Sequence, residues 1–329
     1  MRQLLFGLLV IILTCSPAYA NNFFNGTLVD AHSQKGALIS SQQLSEVINK
    51  TDVDFTLLSF RLKPGKIKEE LLAIKQETGN KVRYLIPTKL GGYMRKNTSS
   101  EEANNRLKFL KKTAQESNMN YVGFGEIIVQ HAPHNHSKLK YDGINLDLSS
   151  KRVSETIDII IKDNKSVIIH VELNDYETDS KKILKQLVTL GNKNPDSNFL
   201  LMHMAQVKFS EAEFIINNTK NIHFMTSHAD NEMKLKMKKG RGQQGWINLF
   251  DKDNNLQKKW RNLMNNNPKR FVFALDNVWD VQWLRGYKER VLIWRKALAS
   301  LDDEASISIA CRNSNEYFKL GIECIRDRN

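Results

Sequence analysis

Several common signatures are missing from this chain. No G-x-G-x-x-G follows an early apolar run, which argues against an open dinucleotide-binding sheet. No Pro- or Ser-rich linker divides the 329 residues, which contain six prolines, and no internal repeat is visible, so one domain is expected. No stretch after residue 20 is apolar enough to cross a membrane. The net charge is +13, yet the basic residues are dispersed without a nucleic-acid-binding module. That charge favours small anionic substrates, anionic headgroups or cell-wall polymers over nucleic acid; assembly into a homo-oligomer is left open. Cysteine is scarce, three in all.

Residues 1–20 read as an export signal: Arg2, an apolar stretch Leu4–Leu13, then Ala18-Tyr19-Ala20 as a small-x-small cleavage site. Cys15 follows Thr14, a poor fit to a lipoprotein site. The expected mature chain, 21–329, is periplasmic or secreted, with no transmembrane anchor after cleavage. It keeps only Cys311 and Cys324, which an oxidising compartment permits to bond but which could equally stay as two thiols.

Eight short apolar runs punctuate the chain: Thr27–His32, Val53–Phe60, Val82–Pro87, Tyr121–Val129, Val167–Glu172, Phe199–Met204, Asn221–Thr226 and Arg270–Asp276. Most are continuous rather than alternating, as in parallel strands buried on both faces. Helical periodicity fills the intervals, most clearly at Ser41–Ile48, Lys66–Thr78, Glu101–Ser117, Ser154–Lys162, Ser180–Leu190 and Glu211–Asn217, with Leu284–Leu298 after the last strand. The alternation predicts an α/β fold, a single-domain (β/α)8 TIM barrel, with the tail from Asp302 packed on it as a helix plus an extension.

Polar residues close these runs: His32, Glu126, His170 with Glu172, His203 and Asp276. A barrel builds its site at the carboxyl ends of its strands, so these dispersed residues are expected to converge. Zinc takes imidazole nitrogen and carboxylate oxygen, with three protein ligands plus water in catalytic sites. Such water ionises near neutrality, and a carboxylate must carry its proton to the leaving group. His32, His170 and His203 are candidate ligands; Glu126 and Asp276 could ligate or move protons.

Asp30-Ala31-His32, Gly123-Phe-Gly-Glu126, Val167-Ile-Ile-His170-Val-Glu172, Phe199-Leu-Leu-Met-His203 and Phe271-Val-Phe-Ala-Leu-Asp276 resemble signatures of the amidohydrolase superfamily, closest to its amidohydrolase-related branch of metal-dependent TIM-barrel hydrolases. The tail from Cys311 is similar to that branch's closing helix. The order and spacing agree across nearly the whole mature chain, though each motif alone is weak. The resemblance implies hydrolysis of an amide, ester or lactone bond, or decarboxylation or hydration of acids, at one or two divalent metals, zinc above all. It places His32, His170 and Asp276 as ligands, Glu126 as an extra ligand, His203 as a second ligand or substrate polariser, and Asp276 as general base. One departure is plain. Where the family has His-x-His, this chain has His32-Ser33-Gln34, and Gln offers only a neutral carbonyl. Gln34 could coordinate weakly, the others could hold the metal alone, or the barrel could be a metal-free binder without turnover.

Other residues carry two readings each. Asp30 is a partner behind His32 or a structural cap. Glu172 lies beside His170 on one strand face or pairs with a loop lysine; with Glu126 it could also form the acid pair of a glycosidase. His131, His134 and His136 are a solvated loop, a second metal site or a substrate loop. His223 is expected to pack, and His228 to reach substrate or sit in a loop. Lys234–Arg241 is an anion clamp or a surface loop. Trp246, Trp260, Trp279 and Trp283 are pocket walls or packing, Trp279 being the foremost pocket candidate.

Overall fold

The computed structural model describes residues 23–88, 99–136, 139–141, 143–174, 179–231 and 247–328. Residues 1–22, the whole basic stretch 234–241 and Trp246 lie outside these residues, as do the side chains of His134 and His136. Among the described residues no helix is long and apolar enough to cross a membrane.

The strands are parallel and alternate with helices, as the continuous apolar runs require. One sheet has the order β1 (Val29–Lys35), β2 (Phe55–Phe60), β3 (Val82–Ile86), β4 (Tyr121–Phe124). A second runs from β5 (Ile127–Ile128) through β10 (Val167–His170), β11 (Phe199–Leu201) and β12 (Ile222–Met225) to β13 (Phe271–Val272). Between β5 and β10 lie two antiparallel pairs: β6 (Gln130–His131) with β9 (Ile144–Asn145), and β7 (His134–His136) with β8 (Leu139–Tyr141).

The expected continuous eight-stranded ladder is therefore corrected to two sheets. They part at Gly125-Glu126, between β4 and β5, and again between β13 and β1. The second break has a visible cause. Beyond Val272 the chain's amides are taken by other groups: Phe273 N donates to Ile309 O at 3.0 Å, Ala274 N to Thr226 Oγ1 at 3.2 Å, and Leu275 N to Asp30 Oδ1 at 2.9 Å. Single bonds still tie this segment to β1: Ala31 N to Phe273 O (3.1 Å), Asp276 N to His32 O (2.8 Å) and Gln34 N to Asn277 O (2.7 Å). The β1–β2 register slips between Asp30 and Ser33, where Ala31 and His32 bond to this last segment instead.

The helices form where the 3.6-residue period places apolar side chains on one stripe. In α1 (Ser41–Lys50) Leu44 and Ile48 are buried; in α2 (Pro64–Thr78), Ile67, Leu71 and Ile74. Each such side chain stabilises by roughly 1.5–3 kcal/mol. Their starts are written locally. Ser40 and Gln43 make a reciprocal capping box at α1, Ser99 and Glu102 another at α3 (Ser100–Glu116), and Pro64 opens α2. Further helices are α4 (Lys151–Lys162), α5 (Ser180–Lys193), α6 (Phe209–Asn218), α7 (Lys258–Asn266) and α8 (Tyr287–Ala299). Trp260 on α7 is buried edge-on against Phe209, so it packs rather than lining a pocket.

The tail adds α9 (Asp303–Ile307) and α10 (Asn313–Phe318), then an extension returning to the start of β1. Cys311 and Cys324 are bonded, with Cα atoms 5.7 Å apart. Thr27 N donates to Ile325 O at 2.8 Å. A Cβ at Gly26 would lie 2.4 Å from the carbonyl oxygens of Ile325 and Arg326, so this contact requires glycine.

Candidate metal centre

Asp30, the second residue of β1, is fully buried. It accepts from Ser33 Oγ (2.6 Å), Leu275 N (2.9 Å) and the Tyr287 hydroxyl (3.4 Å). Burial pushes its carboxyl up to about 6, against the pull of those bonds. Asp30 thus fastens the first strand to the last, and the backbone and charge of His32 also favour its ionised form. The Nδ1 of His32 lies 3.0 Å from Asp276 Oδ1, while its buried Nε2 has no hydrogen-bond partner among the described residues. Burial opposes charge on this ring, but the bond to Asp276 and its negative charge prevail and raise its pKa. Gln34 stands between two carboxylates: its Nε2 donates to Glu126 Oε1 at 3.1 Å and to Asp276 Oδ1 at 3.0 Å. Trp283 is buried and donates to Gln34 O at 3.0 Å, so it anchors the site's backbone rather than walling a pocket.

The segment between β4 and β5 and the end of β10 supply a second group. His170 is held at both nitrogens, Nδ1 by Glu126 Oε2 and Nε2 by Glu172 Oε1, each at 3.0 Å. Burial disfavours its charge, yet the two carboxylates outweigh burial and lift it to about 10. In return, and against burial, Glu172 is drawn down to about 2 and Glu126 is lowered. Glu172 Oε2 also accepts from Ala132 N at 2.7 Å. Among the described residues its partners include this histidine and a backbone amide. His131, at the start of the antiparallel insertion, stacks on His170 with ring centres 4.9 Å apart. It is part of the centre, not a solvated loop residue, and burial lowers its pKa.

The remaining side comes from the ends of β11, β12 and the last segment. His203 Nδ1 lies 3.0 Å from Ser227 Oγ, and its Nε2 lies 3.6 Å from Asp276 Oδ2. That distance is too long for a hydrogen bond but suits two donors sharing an ion. His228 stacks on His203 at 4.3 Å, its Nε2 3.9 Å from Asp276 Oδ2. Burial holds both rings neutral, His203 well below its ordinary value and His228 at about 4. Asp276 is lowered despite burial, by His32 first.

The backbone here is unusual. His203, Met204, Ala205 and Gln206 are consecutively left-handed, with φ of 53°, 54°, 52° and 52°; His228 (56°) and Asp276 (47°) share that region. Elsewhere such conformations fall on Asn118, Asn164, Asn254 and Lys319, mostly the residue type that tolerates them. Buried Arg290 braces the strained end: its guanidinium donates to Asp230 Oδ2 (2.9 Å), Asn277 Oδ1 (3.2 Å) and Leu275 O (3.0 Å). It thereby holds both neighbours of Asp276.

All the residues expected to converge do so: His32, Gln34, Glu126, His170, His203 and Asp276 form one connected cluster. Among the described residues three sets place ligand atoms within 4.8 Å of one another: Glu126, His170 and His203; His131, His170 and Glu172; His203, His228 and Asp276. Imidazole and carboxylate donors in sets of three fit a divalent ion of the zinc type. Ser227 and Arg290 were not foreseen. Ser227 carried one faint signal, its place next to a strand end. Trp279 is 37% exposed, with the Arg61 guanidinium 4.9 Å from its ring centre. His223 packs, as expected, bonded to Lys269 O and Asn198 Oδ1.

The sequence matches no family model and no curated protein sequence. Its fold is similar to solved structures. An uncharacterised TIM-barrel protein from Bordetella bronchiseptica aligns at a TM-score of 0.52 and 10% identity, covering 84% of this chain and 81% of that one. A mutant organophosphorus hydrolase from Deinococcus radiodurans aligns at 0.53 and 8%, covering 90% and 94%. An amidohydrolase from Burkholderia multivorans, solved with zinc bound, aligns at 0.48 and 9%, covering 89% and 99%. The first two establish a TIM-barrel type of fold; at such identities they carry no chemistry across.

Proposed function

We propose that this chain is a metal-dependent hydrolase of the amidohydrolase type, cleaving an amide, ester or lactone bond of a small anionic molecule. One observation carries the reading: separate strand ends deliver Glu126, His170, His203 and Asp276 into one buried cluster with donor atoms at coordination spacing. A divalent ion of the zinc type would supply Lewis acidity, polarising an acyl oxygen and letting water lose a proton near neutrality. Glu126, His170 and His203 would hold it, with Asp276 Oδ2 facing the same space. Asp276 accepts the proton at Oδ2 and returns it to the leaving group, while His32 Nδ1 keeps the carboxylate oriented through Oδ1. Ser227 fixes the ring of His203 through Nδ1 and leaves Nε2 directed at the centre. Arg61 and Trp279, after β2 and the last strand, supply cationic and aromatic surface suited to an anion.

We place the protein in the periplasm or outside the cell. The sequence of residues 1–20 supports this, and so does the Cys311–Cys324 bond, which an oxidising compartment sustains.

Protein purified without chelators is expected to carry a divalent ion and to hydrolyse members of a panel of lactones, aryl esters and N-acyl amino acids. A chelator should abolish turnover and added zinc restore it. Protein with neither bound ion nor chelator-sensitive turnover would overturn this reading. A metal-free binding barrel would then stand in its place; the observation favouring it is that the Gln34 amide satisfies both carboxylates with no ion.

A further inference from the structure

Resting on the metal-centre reading above, we infer that Gln34 makes this a one-ion centre: its amide nitrogen takes the place a second cation would need between Glu126 and Asp276, and confines metal to the His203 side.

Two buried carboxylates that face each other need a positive or donating group between them. Here Gln34 Nε2 serves, with one N–H to Glu126 Oε1 (3.1 Å) and one to Asp276 Oδ1 (3.0 Å). An amide oxygen in that place would confront two carboxylate oxygens, so the nitrogen must face them. That nitrogen has no lone pair to offer a metal. The residue cannot easily swing away. Its backbone is pinned by Gln34 N to Asn277 O at 2.7 Å and by Trp283 Nε1 to Gln34 O at 3.0 Å, and it is buried.

Donors on the His32 side are thereby used up. Asp276 Oδ1 serves both His32 Nδ1 and Gln34, and Glu126 Oε1 serves Gln34. The lone pair of His32 Nε2 remains, and one imidazole falls short of the three protein ligands a catalytic ion takes. On the other side, the second oxygens face imidazoles whose nitrogens are themselves metal donors: Glu126 Oε2 lies 3.0 Å from His170 Nδ1, a proton bridge that an ion would replace, and Asp276 Oδ2 lies 3.6 Å from His203 Nε2. Both pairs belong to sets that share His203; in the third set, His131, His170 and Glu172, both carboxylate oxygens are already taken, by His170 Nε2 and by Ala132 N.

The test is a count. The mature chain, stripped with chelator and equilibrated with zinc alone, is expected to bind one ion by elemental analysis, and cobalt in the same place should give one set of visible bands. His203→Ala should lose that ion. Gln34→His and Gln34→Glu, which each supply a lone pair where the amide nitrogen stood, should rise from one ion to two. Two ions in the wild-type chain, or no gain in either folded Gln34 variant, overturns the inference while leaving a metal centre intact. Zero ions in the wild type overturns the metal centre itself and the inference with it. If both Gln34 variants fail to fold, as read by circular dichroism, the wild-type count still decides: one supports, two or zero refutes.

Discussion

The two ends of the strands use the same residue types for opposite purposes. At the amino ends, His223 on β12 has its ring nitrogens beside neutral groups, Nδ1 2.9 Å from Lys269 O and Nε2 3.1 Å from the side-chain amide of Asn198, and stacks on Tyr317 at 4.1 Å. Arg270 there donates to the carbonyls of Ile216, Thr219 and Ile222 and to the Thr219 hydroxyl. Among the described residues these partners include no carboxylate. At the carboxyl ends, histidines face carboxylates, and the backbone adopts left-handed conformations on His, Met, Ala, Gln and Asp. Each of these costs of order 1 kcal/mol or more. Around His223 and Arg270 the partners are neutral; the carboxyl ends concentrate histidine–carboxylate contacts and strain. Burial alone therefore does not mark a functional histidine. The partner's charge does.

The comparison breaks most visibly if the mouth behaves as structure. Asp276→Asn should cut turnover about 10³-fold, within the range for removing a general base, while stability changes little, because Asn tolerates a φ of 47°. A large drop in unfolding midpoint with proportionate loss of activity would place Asp276 among the structural residues. The converse substitution is Arg270→Met. It should cost about 3 kcal/mol by denaturant titration, since several buried carbonyls lose their donor, with turnover per folded molecule unchanged.

The pH dependence sharpens the contrast. Burial holds His223 down at about 3. Its unfolded imidazole titrates near 6.5, so the stability it contributes is present above that value and erodes as pH falls from there towards 3. The slope should approach about 1.4 kcal/mol per pH unit. His223→Gln should flatten that slope by nearly one proton, whatever it costs at neutrality; an unchanged slope would mean that His223 ionises in the folded protein. In the metal-free chain His170, raised to about 10, runs the other way. Its contribution is complete below the unfolded value and disappears as pH rises through 10. The smallest effect is expected at Ala205, left-handed at 52°. Ala205→Gly should gain about 0.5–1 kcal/mol in chemical denaturation, and no gain would mean that the turn is not strained.

Much of the centre was legible because its residues punctuate continuous apolar runs. His32, His170, His203 and Asp276 each end such a run, and a strand's carboxyl end fixes where they go. The disulfide was not legible, since the spacing of Cys311 and Cys324 says nothing of Cα distance. The sequence leaves the insertion carrying His131 open between a solvated loop, a metal site and a substrate loop, because its strands span two or three residues each, too few for alternation to show. Arg290 looked like any helix arginine; only packing reveals that it grips Leu275, Asn277 and Asp230. The closed ladder was overdrawn for a related reason. Thr226 and Asp30 side chains replace ladder acceptors beyond Val272, and pattern alone cannot announce such substitutions.

The joining of the tail to the start of β1 has a temporal consequence. His32 meets a partner 244 positions later, and Thr27 meets Ile325, 298 positions on. During synthesis the opening strand has nothing to rest against until nearly all of the polypeptide that follows it has emerged. Such distant closures are slow. A centre assembled this way stays inert while the chain grows and becomes complete only when the last segment docks.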